Sequence, residues 1–350
     1  MLNERSEILV EVTRGDLVEC VHRGSVAVVD SSGGLLAYAG DPELVTFMRS
    51  ASKPLQAMLL IESGAADDFG LAESELAVAC GSHSGQREHV EAVSALLEKA
   101  GVSPGLLDCG VHPPIDKDSR KALYESGERP WEIHCNCSGK HAGMLAVCAK
   151  LGIDPADYRR VGHPVQDLLL EIVADMSGIA AEEIRLAPDG CGVVVHGIPV
   201  MNMAYAFASL ATGVGLPSGR AEAASRIRSA MRSNPLLVAG NQRLCTAILG
   251  LDSSRFVAKS GAAGVYCIGD SQLGLGIAVK TEDGDGRAAG MTAVETMRQL
   301  ELLSAEDAGH LERFRVVANT NLPGDSVGEV RPVFALRSGR IQASQKGVAT

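Results

Sequence analysis

The sequence predicts a mixed α/β (α+β) fold, an antiparallel sheet assembled from both ends of the chain with helices packed on it. Three observations carry that expectation. Residues 8–38 fall into short strand-like runs, residues 55–232 carry recurrent helical periodicity, and residues 255–280 return to strand patterns.

In chain order, residues 8–13 and 16–22 read as strands, and 25–30 with 35–38 as a hairpin closed by Ser31-Ser32-Gly33-Gly34. Residues 55–61 are apolar nearly all round, the mark of a buried helix. Residues 86–99 place Val90, Val93, Leu96 and Leu97 on one helical face, with Gly101 as a stop. Helical patterns recur at 138–151, 164–177, 200–211 and 219–232, the last ending before Asn234-Pro235. Strands follow at 255–259, 264–268 and 273–280, then a turn at Asp283-Gly284-Asp285-Gly286, a helix at 287–303 and a strand at 333–337. With no internal repeat and no linker, residues 1–350 read as a single domain.

Composition narrows the function. Of the 350 residues 46% are apolar but only 3% aromatic, so the core must be built from Ala, Val, Leu and Ile. A net charge of -11 argues against nucleic acid or an anionic membrane as partner. The N-terminal residues lack the apolar stretch of a signal peptide, and no apolar run reaches membrane-spanning length, so a cytoplasmic protein is expected. Nine cysteines, an odd number without a secretory signal, make a disulfide framework a poor reading.

Two separated motifs carry chemistry. Ser50-Ala51-Ser52-Lys53 is S-x-x-K and Lys259-Ser260-Gly261 is K-S-G, in the order found in penicillin-recognising serine hydrolases. A serine hydroxyl needs a base, and lysine serves only when neutral. Burial and a second cation both favour the neutral amine, so Lys53 and Lys259 in one pocket would help each other. On a helix, Ser50 and Lys53 would share a face. Either motif also has a plain reading: a helix start with serine as N-cap, and a solvated lysine on an edge strand. His134-Cys135-Asn136-Cys137-Ser138-Gly139-Lys140-His141 is not a P-loop, since His134 stands where glycine is needed and His141 where Ser or Thr is. Its clustered thiols suit zinc, with Cys191 as a further donor, although inert buried cysteines fit equally. His83, His89 and His112 show no ligand spacing and read as core or surface histidines.

The segments Arg49 to Gln56, Cys80-Gly81-Ser82-His83-Ser84-Gly85, His134 to Gly143, Asp189-Gly190-Cys191-Gly192 and Val327 to Pro332 together resemble the rhizobial-type (class 3) L-asparaginase family. That family is similar in fold to glutaminases and serine β-lactamases. The resemblance implies hydrolysis of asparagine to aspartate and ammonia through an acyl-enzyme, with Ser50–Lys53 and Ser82–Lys259 as catalytic pairs. Ser50 would attack, Lys53 would take its proton, and Ser82 with Lys259 would relay protons to the leaving ammonia and to water. It further implies zinc on Cys137, Lys140 and Cys191, a substrate pocket lined by Arg49, His141, Asp189, Gly190 and Cys245, and a homodimer, for which the apolar 200–211 helix offers a face. Asp189 and Arg49 would hold the α-amino and α-carboxylate groups. A glutaminase or other amidase on the same residues, and a zinc-stabilised ligand-binding protein with idle serines, are the alternative expectations.

Overall fold

The computed structural model describes residues 5–339. Its strands are β1 (Glu7–Arg14), β2 (Leu17–Asp30), β3 (Leu35–Ala39), β4 (Val45–Phe47), β5 (Arg185–Pro188), β6 (Val194–Pro199), β7 (Phe256–Gly261), β8 (Val265–Asp270), β9 (Leu275–Thr281), β10 (Val317–Thr320), β11 (Ser326–Pro332) and β12 (Arg337–Ser338). The helices are α1 (Lys53–Glu62), α2 (Ala65–Asp68), α3 (Glu73–Ala79), α4 (Arg87–Lys99), α5 (Lys117–Glu125), α6 (Ser138–Leu151), α7 (Pro164–Ser177), α8 (Val200–Thr212), α9 (Ser218–Ser233), α10 (Pro235–Val238), α11 (Leu244–Leu249), α12 (Gly286–Gln299) and α13 (Ala305–Leu311).

An antiparallel sheet runs β10-β11-β1-β2-β9-β8-β7, with β3 joining β2 to β12, and a smaller sheet runs β4-β6-β5. Strands from both ends of the chain therefore interleave, as the sequence predicts: Val12 faces Val330, and Ala27 faces Ala278. Side-chain alternation divides the core in two. Val257, Val265, Cys267 and Ala278 join the cluster built by α1, α3, α6, α7, α8 and α9. Ala258, Tyr266, Ile268 and Val279 face the opposite way, toward α11 and α12.

Glycine sets the closeness of packing where α8 meets the sheet. Gly269 and Gly276 are cross-strand partners. A Cβ on Gly276 would lie 1.8 Å from the Ala204 carbonyl oxygen, and one on Gly269 2.2 Å from that of Phe207. Two facing glycines thus let the helix backbone rest on the strands. The helix boundaries follow start and stop chemistry: Pro164 opens α7, while Gly152, Gly178 and Gly213 close α6, α7 and α8 in left-handed conformation.

Several expectations need correction. The 16–22 and 25–30 segments are one continuous strand, because β2 pairs β1 along its first half and β9 along its second. The helix expected to reach 303 stops at Gln299. The C-terminal pairing falls on β10 and β11, with β12 only Arg337–Ser338, rather than on 333–337; the polar, largely unburied residues of those strands hid them. The 200–211 helix offers no outward apolar face, since Met203, Ala204, Phe207 and Leu210 are fully buried within the chain. Among the described residues no helix is long and apolar enough to cross a membrane.

Candidate active site

A single 3-10 turn, Arg49–Ser52, leads into α1. It begins with Arg49 at φ +52°, a left-handed conformation that is costly for a side chain with a Cβ. The end of β7 is pressed against this turn: a Cβ on Gly261 would lie 2.6 Å from the Met48 carbonyl oxygen and 3.3 Å from the Ala51 nitrogen. The glycine of K-S-G therefore makes room for the serine turn.

The two lysines converge, but on Ser82. Lys53 Nζ donates to Ser82 Oγ at 3.0 Å, to the Gly81 carbonyl at 2.7 Å and to the Asn136 carbonyl at 3.1 Å. Three acceptors suit the three N–H donors of an ammonium. Lys259 Nζ donates to Ser82 Oγ at 2.9 Å and to the Ser260 carbonyl at 2.8 Å. The expected Ser50–Lys53 hydrogen bond does not form. Lys53 starts α1 and is 1% exposed, so its amine must find partners inside the protein, whereas Ser50 is half-buried at the rim. Among the described residues the Ser50 hydroxyl makes no hydrogen bond.

Burial, reinforced by the charges of Lys53 and Arg243 and opposed by the nearby thiols, draws Lys259 down to about 7. A neutral amine at this position can accept the Ser82 proton.

Beside this pocket, Arg49 Nε pairs with Asp189 Oδ1 at 2.6 Å, and the Gly190 amide donates to the same carboxylate oxygen at 2.8 Å. His141 is fully buried; its Nδ1 lies 2.5 Å from the Tyr158 hydroxyl, and its Nε2 has no partner among the described residues. Burial holds its imidazole well below its ordinary range. Cys245 lies in the cluster on the far side of β7 from Lys259, and its sulfur accepts the Ser260 amide and the Tyr266 hydroxyl, both at 3.2 Å. It touches the strand that carries Lys259.

The expected zinc donors meet as well. Lys140 Nζ lies 3.0 Å from Cys191 Sγ, and hydrogen bonds from Cys135 and Cys191, the largest effect, draw the Cys137 thiol well below its ordinary range. Burial disfavours the Lys140 ammonium, but the Cys191 and Cys137 sulfurs outweigh it and hold Lys140 charged. Two sulfurs and an amine, once that amine gives up its proton, fit three positions of a tetrahedral zinc site. Among the described residues no group of three or more His, Cys, Asp and Glu side chains is placed to hold a metal, so Lys140 is indispensable to this set.

Sequence reasoning missed the backbone acceptors of Lys53. The Gly81 and Asn136 carbonyls carry no side-chain signal. His112, set aside as featureless, accepts the Asn136 amide on Nε2 at 2.9 Å and so fixes the peptide that Lys53 uses. His83 and His89 are core residues, stacked with ring centroids 5.0 Å apart.

The L-asparaginase II family profile matches residues 10–332. No curated protein matches the chain. Solved structures that match include the native form of Mglu in 4.3 M NaCl, at 19% identity and a TM-score of 0.37, covering 80% of this chain. The match spans only 60% of the Mglu chain. A β-lactamase from Mycobacterium bovis matches at 14% identity and a TM-score of 0.40, covering 83% of this chain and 95% of its own. A further one, a putative β-lactamase from Bacteroides dorei, matches at 13% identity and a TM-score of 0.40, covering 79% and 93%. The family profile spans nearly the whole described chain, including both lysine motifs and the Ser82 loop between them: this protein belongs to the L-asparaginase II family of amidohydrolases.

Proposed function

We propose that the protein hydrolyses the side-chain amide of asparagine, with Ser82 as nucleophile and Lys259 as its base. The observation that carries this reading is the convergence of two buried lysines on one serine hydroxyl, at 2.9 and 3.0 Å. Ser82 Oγ attacks the amide carbon as neutral Lys259 takes its proton. That proton passes to the departing nitrogen as the C–N bond breaks, releasing ammonia and leaving an ester on Ser82. A water then gives a proton to Lys259 and attacks the ester, and the proton returns to Ser82 as aspartate leaves. Lys53 stabilises the charge that builds on the Ser82 oxygen.

This exchanges the roles expected for the two serines. Ser50, half-buried and with a hydroxyl that makes no hydrogen bond among the described residues, serves instead to contact the substrate from the rim. The Arg49–Asp189 pair is complementary to an amino-acid zwitterion: Arg49 takes the α-carboxylate and Asp189 the α-amino group, so one ion pair is replaced by two. Cys137, Lys140 and Cys191 would hold zinc, which as a Lewis acid would fix the loops that carry Asp189 and support substrate binding.

The test is ammonia release from asparagine, glutamine and a β-lactam by the wild type, Ser82→Ala and Ser50→Ala. Asparagine turnover lost in Ser82→Ala and reduced through KM in Ser50→Ala supports the reading. Normal turnover by Ser82→Ala overturns the serine assignment, and preference for another amide overturns the substrate.

A further inference from the structure

On the face of β7 turned away from Lys259 lies a cavity of about 330 Å³ that the reaction above does not use. Arg243, Arg287 and Arg313 line it, with Tyr266, Met291 and Phe314 as apolar walls. We propose that this pocket binds an organic anion with an apolar body, a carboxylate or a phosphate carried on a ring or short hydrocarbon.

The charge arrangement is the main argument. The chain has a net charge of -11, and its half-buried arginines largely meet carboxylates, as Arg255 does Asp270 and Arg315 does Glu295, whereas half-buried Arg243 meets none among the described residues. No aspartate or glutamate is among the described residues lining the cavity, and none of its three guanidiniums forms an ion pair with a described carboxylate. Three like charges around one hollow repel one another, and an anion that bridges them removes that cost while gaining charge-assisted hydrogen bonds.

The walls set the rest of the ligand. Arg313 is held over the Phe314 ring, its guanidinium carbon 4.7 Å from the centroid, which leaves the hydrogen-bonding edge of the guanidinium available. The Tyr266 hydroxyl is already committed to Cys245, so its ring offers the cavity an apolar surface. Met291 is an adaptable apolar contact. The volume lies at the small end of ligand pockets, roughly 300–1,000 Å³, enough for a one-ring acid. The pocket also adjoins the catalytic strand: Ser260 lines it, gives its amide to Cys245 and accepts Lys259 Nζ on its carbonyl.

The test is isothermal titration of the intact protein with 3-phenylpropionate and phenyl phosphate, beside acetate, inorganic phosphate and the neutral 3-phenylpropanol, at constant ionic strength. The expected result is one saturable site for at least one phenyl-bearing anion, at least tenfold tighter than its headgroup alone and than the alcohol. The headgroup that binds more tightly identifies the ligand class. The double variant Arg287→Ala/Arg313→Ala, both residues being exposed, should weaken binding at least tenfold while its melting temperature and probe-free ammonia release stay those of wild type. Equal binding of the neutral alcohol, undiminished binding by the double variant, or no saturation by either phenyl-bearing anion would overturn the proposal. Because binding is read directly, its failure is distinct from failure of the amide-hydrolysis reading.

Discussion

Lys259 donates to Ser82 Oγ across 2.9 Å although 177 positions of chain separate them. Lys259 sits on β7, the edge strand of the sheet, while Ser82 is held after α3 by its amide's hydrogen bond to the Val238 carbonyl of α10. Lys53 approaches the same oxygen from α1, so the hydroxyl sits between two amines of unequal environment.

That inequality gives a pH dependence. Burial lowers Lys259 to about 7, so its neutral form grows as pH rises through that value. The kcat/KM for ammonia release should rise tenfold per pH unit below about 7 and level off above it, a limb visible in a pH–rate profile. The stability consequence has the same direction. The unfolded chain holds the Lys259 proton up to the ordinary lysine range while the folded chain loses it near 7. Wild type should therefore lose stability as pH falls from about 10 to 7, by up to about 1.4 kcal/mol per unit, and Lys259→Met should flatten that slope in urea titrations.

The serines should separate kinetically. Ser82→Ala removes the group both lysines hold and should lower kcat at least a thousandfold. Ser50→Ala should act mainly through KM, by about tenfold. Steady-state ammonia release measures both.

Arg49 combines a charge with a strained backbone. Arg49→Gly suits φ +52° but removes the guanidinium, so KM for asparagine should rise ten- to a hundredfold while stability changes by no more than about 1 kcal/mol. Calorimetry beside kinetics separates the two effects, and an unfolded Arg49→Gly protein would contradict the strain argument.

Zinc should be retained by wild type and lost by Cys191→Ser and Lys140→Met, measured by elemental analysis after dialysis. Wild type treated with a chelator should show a lower melting temperature and a higher KM, both restored by added zinc.

Gly276→Ala tests the packing of α8. Its Cβ would come 1.8 Å from the Ala204 carbonyl oxygen, with rigid backbone on both sides, so the cost should exceed about 3 kcal/mol. Denaturant unfolding would read it directly.

Much of the fold is legible along the chain. The helices at 138–151 and 164–177 coincide with α6 and α7, because long periodic segments with glycine stops specify themselves locally. The small sheet of β4, β5 and β6 was not anticipated: Val45–Phe47 and Arg185–Pro188 are too short and too exposed for their alternation to register, and each becomes a strand only by pairing with β6. The site residues were visible as residue types, but their partners were not. S-x-x-K spacing implied that Lys53 would serve Ser50, and nothing local shows that the amine turns inward to Gly81, Ser82 and Asn136.

The sequence by itself determined the chemical inventory: two lysine motifs, an intervening serine, a thiol-rich segment and an apolar, aromatic-poor core able to bury them. Those are properties of residue type and short-range order. Only the tertiary structure decided which serine both lysines hold and which arginine meets Asp189. It also decided that Cys245 and three arginines face a separate cavity. Hydrogen bonds and burial act through space, and the sheet brings residues far apart in the chain into contact before the chemistry of any one of them is settled.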